Sequence, residues 1–113
     1  MAVQPRDTTL ETLQNAAAAT GNGTAISMAG FDVLAVEVTG TFVGTVTFEG
    51  TIDDSSWFAV GLKTAADGAA VTTATAAGAF KLPVDMPALS QFRARVSAYT
   101  SGAITVKSRK SSE

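Results

Sequence analysis

Arg93, Arg95 and Tyr99 fall at alternate positions of one run, Gln91 to Tyr99, whose intervening positions include Phe92, Ala94, Val96 and Ala98. On a strand, residues two apart share a face. The two guanidiniums and the phenol therefore line one outward stripe, with the apolar set turned inward. Guanidinium forks suit carboxylate or phosphate. Acids of neighbouring strands, such as Glu37 and Glu49, can equally pair with them across a sheet, and that pairing is the reading preferred here. Trp57, the single tryptophan, is out of phase with Phe58, Val60 and Leu62, which places it on the opposite face. There it either lies over the turn it follows or offers a ring to a partner. Asp53 and Asp54 are adjacent acids in the segment Gly50 to Trp57. Hard cations take carboxylate oxygens, but no calcium-loop spacing surrounds this pair. Asp side chains holding backbone amides of a turn account for it better.

The 113 residues include no His and no Cys. Those absences remove the commonest general base, the usual transition-metal ligand, thiolate chemistry and disulfides. They also exclude Ser-His-Asp and Cys-His nucleophile systems. Gly21-Asn22-Gly23-Thr24 does not join a strand to a helix, so it is no phosphate loop. With no paired carboxylates in acid/base arrangement, the expectation is a protein that is not an enzyme and uses no cofactor or metal. A net charge of −2 argues against a nucleic-acid partner. The basic end, Lys107, Arg109 and Lys110, carries too few charges to alter that and reads as a solvated tail. The first residues form no signal peptide, and Ala16 to Ala19 is too short to span a bilayer, so no membrane partner is expected. A cytoplasmic origin follows from the same reading.

The elements that must position these residues are strands. From Leu34 to Phe48 the even positions carry Leu34, Val36, Val38, Phe42, Val46 and Phe48, with Gly40 and Gly44 between them. Thr and Glu fill most odd positions, the period-two pattern of a half-buried strand. The run is too long for one strand, so a bend or hairpin bracketed by Gly40 and Gly44 divides it into strands at roughly 32–40 and 43–50. Further strands are expected at Trp57 to Lys63, over 69–76, around Phe80 to Val84, at Gln91 to Tyr99, and from Ile104. Pro83 and Pro87 mark an edge strand and the loop after it. About eight strands with frequent turns predict an all-β protein, an antiparallel, jelly-roll-like β-sandwich. The apolar members of the alternating runs predict a core of Ile26, Leu34, Val36, Val38, Phe42, Val46, Phe48, Phe58, Val60, Leu62, Phe80, Leu82, Phe92, Val96, Ile104 and Val106. Residues 1–23 are weakly patterned and read as an extended N-terminal arm. The sandwich domain spans 24–109, and 110–113 form a polar C-terminal tail.

The stretch AAAATGNGTAISMAGFDVLAVEVTGTFVGTVTFEGTIDDSSWFAV followed by FRARVSAYTSGAITVKSR, which together cover most of residues 16–109 and carry the marks VTGTFVGTVTFEG, IDDSSW and FRARVSAYTSGAITV in this order, resembles small β-sandwich virion-structure proteins of tailed bacteriophages and prophages. That group includes proteins similar to capsid decoration, or cement, proteins and to modules of tails and fibres. The resemblance supplies no catalytic residues. It implies a structural protein made in a host bacterial cytoplasm and carried on the capsid exterior. The chain reads as a whole protein from its own Met1, which favours cement over an embedded fibre module. Its partners would be the major capsid protein and itself, as a dimer or trimer. The arm would help to clamp neighbouring subunits. The residues expected at a protein interface are Val3, Arg6, Leu10 and Leu13 from the arm, with Trp57, Arg93, Arg95 and Tyr99 from the sandwich. The alternative is a tail- or fibre-associated module that binds another tail protein, or carbohydrate through Trp57 and Tyr99.

Overall fold

The computed structural model describes residues 10–28, 31, 33–82 and 89–111. All regular elements among them are strands: β1 (Glu11–Ala17), β2 (Ile26–Ser27), β3 (Val33–Thr39), β4 (Phe42–Thr51), β5 (Trp57–Ala59), β6 (Leu62–Thr64), β7 (Ala70–Val71), β8 (Thr73–Ala74), β9 (Gly78–Lys81), β10 (Gln91–Gly102) and β11 (Ile104–Ser111). Eight are three residues or longer. They form two antiparallel sheets packed as a sandwich. The larger runs β1-β11-β3-β9-β6-β7 and the smaller β2-β10-β4-β5, with β8 also on β4. Among the described residues no helix is long and apolar enough to cross a membrane.

Alternation decides what fills the space between the sheets. Leu34, Val36 and Val38 of β3, Val46 and Phe48 of β4, Phe92, Ala94 and Val96 of β10, and Ile104 and Val106 of β11 are all buried. Phe48 stands at the centre. Its ring lies 5.1 Å from Phe80 of the opposite sheet and 6.3 Å from Phe92 beside it, distances at which tilted and offset rings attract.

The bend read near Gly40 is a corner between sheets rather than a hairpin. β3 belongs to the larger sheet and β4 to the smaller, and β10 and β11 divide in the same way. The two corners lie against each other, where Ala103 N–H donates to Thr41 O. Gly40 has φ +110° and Gly102 φ +93°. A Cβ at Gly40 would stand 2.2 Å from Ala103 O, and one at Gly102 would stand 2.1 Å from Thr41 O. Conformation and space therefore both require glycine at these corners.

Several expectations are corrected. Trp57 to Lys63 is not one strand. After β5 the Val60 N–H donates to Phe48 O at 2.9 Å, and the chain then crosses to the larger sheet as β6. Phe58 is consequently left on an edge strand opposite Gly50 and is exposed, while Phe42 at its corner is only partly buried. The weak 69–76 strand is likewise two fragments, β7 and β8, in different sheets. The residues called an arm enter the sandwich: β1 pairs with β11 at the edge of the larger sheet, and Leu13 is fully buried. Two irregularities in that pairing, with Ala16 at φ +50°, hid its periodicity. Gln14 fastens the segment by donating its amide to Ala94 O at 2.8 Å and Gly21 O at 3.2 Å. Residues 107–111 are not a free tail either, because β11 continues to Ser111. Lys110 is buried there, donating to Ser27 O, pairing with Glu11 at 3.3 Å and lying 4.7 Å from the Phe31 ring centre. Met28 and Leu89 join the core without having been assigned to it. Pro83 and Pro87 lie outside the described residues.

Candidate functional site

The outer face of the smaller sheet carries the densest grouping of charged and aromatic side chains that the sequence singled out. β4 turns Val46, Phe48 and Gly50 inward, and hence Thr47 and Glu49 outward. β10 turns Arg93 and Arg95 the same way. The register sets Arg93 opposite Glu49 and Arg95 opposite Thr47. Glu49 thus lies between two guanidiniums and is claimed by both. Arg93 Nε donates to Oε1 at 2.9 Å and its terminal nitrogen stands 2.8 Å from the same oxygen. Arg95 makes the matching pair with Oε2, both at 3.1 Å. The sheet flank buries this arrangement unevenly: the side chain of Glu49 is 12% exposed, that of Arg93 16% and that of Arg95 36%.

Trp57 begins β5 and pairs with Thr51 on the other side of β4. Its ring is therefore on the same outer face, as its phase required, and the Arg93 guanidinium carbon sits 4.0 Å from the ring centre. Arg93 is held twice, by a carboxylate and by an indole face. Beside the cluster Thr47 and Ser97 share a hydrogen bond of 2.7 Å. The group carries a net +1. Both Glu49 oxygens accept guanidinium donors. What the cluster presents outward is the freer Arg95 fork on a rigid mount, an arrangement suited to recognising a carboxylate or other anion.

Tyr99 does not continue the stripe. The β10–β4 register shifts between Val96 and Ala98, and again between Tyr99 and Ser101. An extra residue in a bulge reverses the alternation. Ala98, expected inward, is exposed, and Tyr99 packs against the core with its hydroxyl donating to Gly102 O at 2.7 Å. Trp57 and Tyr99 accordingly form no shared platform for a sugar. Of the arm residues, Leu10 is exposed and Leu13 is core; Val3 and Arg6 lie outside the described residues.

Asp53 and Asp54 do turn chemistry. Asp53 accepts the Ser55 and Ser56 N–H groups at 2.9 and 2.8 Å, and the Thr51 hydroxyl at 3.2 Å. Asp54, at φ +65°, accepts from the Ser90 hydroxyl and from the Gln91 amide at 2.9 Å. Donation from Ser56 and then Ser55 holds the Asp53 carboxyl below the usual carboxylate range. Gln91 and then Ser90 do the same for Asp54. Among the described residues no group of three or more His, Cys, Asp or Glu is placed to hold a metal ion.

A family model described as XepA matches residues 7–110. No curated protein matches the chain. Among solved structures, the SPBc2 prophage-derived protein YomS superposes with a TM-score of 0.85 at 18% identity, over 99% of both chains. The PBSX exported protein XepA superposes with a TM-score of 0.89 at 21% identity, over 99% of this chain and 40% of its own. The chain therefore spans about two fifths of that second protein.

Proposed function

Since the chain belongs to the XepA family, we propose that it is a phage-encoded, non-enzymatic docking protein that works through the outer faces of its sandwich. The observation that carries this reading is the Glu49–Arg93–Arg95–Trp57 cluster. It is pre-ordered by four polar contacts and one stacking contact, and it leaves Arg95 partly open. Rigid Arg and Trp side chains that lose little freedom on binding are typical anchors of protein interfaces. In its finer form the partner is the major capsid protein and the role is cement on the capsid exterior, with self-association as a dimer or trimer and with no cofactor, nucleic acid or membrane. The arm has no part in this version beyond residues 1–9, because Leu13 is needed inside the sandwich.

A second reading takes its support from the PBSX protein XepA, which is described as exported. Under it the protein leaves the cell and acts off the virion. One experiment separates the two. Purified shells are mixed with the protein and sedimented, with Trp57→Ala and Arg95→Glu forms alongside, and the culture medium is assayed for unassembled protein. Co-sedimentation lost in both variants supports the cement role. Full recovery in the medium with no shell binding supports the exported one.

A further inference from the structure

The opposite surface of the molecule, the outer face of the larger sheet, is charged quite differently. Four of the seven Lys and Arg among the described residues lie there. The register arranges them in two rows that cross the strands. One row reads Arg109, Ala35, Lys81, Lys63 over β11, β3, β9 and β6. The next reads Lys107, Glu37, Ala79. All seven side chains are exposed. Among the described residues four cations thus share this face with one carboxylate, Glu37, in a chain whose net charge is −2. Between Lys81, Lys107 and Arg109 the methyl groups of Ala35 and Ala79 leave a trough of about 280 Å³, with the exposed Leu10 in its lining and Lys63 just beyond it, opposite Lys81.

Lys63 and Lys81 stand directly opposite each other on adjacent strands. Like charges in that position oppose sheet formation, and an anion bound beside them would relieve that repulsion. From this juxtaposition we infer that the trough docks an acidic, partly apolar polypeptide segment of another protein. β11, β3, β9 and β6 are each paired on both sides. Their backbone N–H groups are therefore engaged in the sheet and do not form the amide nest that favours phosphate. The floor is apolar, which suits short side chains alternating with carboxylates. Four cations are also few for nucleic acid. Among the described residues a second copy offers no continuous acidic strip, because Asp53 and Asp54 sit in one turn and Asp67 in another, each already accepting internal hydrogen bonds. The inference goes beyond the reading above. It concerns the other sheet, and its failure leaves the Arg95 surface untouched.

The test uses the full chain and a fluorescein-labelled dodecapeptide of alternating Glu and Ala, followed by anisotropy. Binding is expected at low salt. It should weaken by roughly tenfold or more in about 0.5 M salt, and by a similar factor in the double variant Lys81→Glu/Lys107→Glu. Arg95→Glu, on the other sheet, should bind as the parent does. Should the double variant fold poorly, Lys63→Glu serves alone: it should bind the peptide less well yet melt at a higher temperature, since it replaces a repulsive pair with an attractive one. Equal binding by the Gln-for-Glu peptide, unchanged binding by the variants, or preference for phosphatidylglycerol vesicles or polyphosphate over the peptide would each overturn it.

Discussion

Glu49 shows how one side chain can hold a surface together. Replacing it with Leu leaves Arg93 and Arg95 side by side with no counter-charge. Because Arg93 is mostly covered, we expect a loss of about 1–3 kcal/mol of stability. Trp57, the sole tryptophan and the ring beneath Arg93, reports this directly: its emission should shift in the native variant, and a urea titration followed by that emission gives the stability. Arg95→Ala removes the more exposed partner and should cost under about 1 kcal/mol. The reverse order of effects would mean that the cluster is held from Arg95 instead. The corner glycines make a second test. Gly40→Ala or Gly102→Ala meets both a positive φ and a carbonyl oxygen nearer than any Cβ tolerates. Each should cost about 1–3 kcal/mol or more in the same titration. Gly61→Ala meets nothing within 4 Å and should stay within about 0.5 kcal/mol.

Among the elements, β1 most changes what the protein can do with its N-terminal residues. It covers the edge of β11, sends Leu13 into the core, and brings Glu11 to the buried Lys110. Leu13→Ala should therefore cost about 2–5 kcal/mol, as buried leucines do, while Leu10→Ala should be within about 0.5 kcal/mol. Deleting residues 1–15 should lower the melting temperature sharply rather than yield a stable body that merely binds less. If the shortened chain melts like the full one, β1 is a detachable arm after all. The strand was illegible as a strand because its two irregularities break the period-two pattern. Its only large apolar residue, Leu13, has no partner at the expected spacing.

Across the whole molecule the acids set the response to pH. Asp53, Asp54 and Asp67 are all held below the usual carboxylate value, Asp67 by the Thr64 hydroxyl and then the Ala69 N–H. A carboxyl whose folded pKa is depressed stabilises the fold above its unfolded value, here 3.8. That contribution disappears as pH falls through the lower folded pKa. There is no His to titrate between about pH 5 and 8. Urea midpoints should thus be nearly flat from neutral pH down to about 5 and fall below about 4. The three groups are exposed, so added salt should blunt the fall. Asp53→Asn should make the acid limb shallower; an unchanged limb would place the sensitivity elsewhere.

Alternation and turn residues alone determined the all-β class, the sandwich, the inward faces of β3, β4, β10 and β11, and the shared outward face of Arg93 and Arg95. Each follows from the side-chain period of two along a strand, a local property. That Glu49 and not Glu37 pairs with Arg93 and Arg95 was decided by register. Tertiary structure decided where that period breaks: the bulges that turn Tyr99 inward and Ala98 out, the crossing after Val60 that exposes Phe58, and the docking of β1 that buries Leu13 and Lys110. It also brought Lys63, Lys81, Lys107 and Arg109 onto one face. Register between strands distant in sequence sets these features, and register depends on how both sheets close over a shared core, so no short stretch of the chain encodes it.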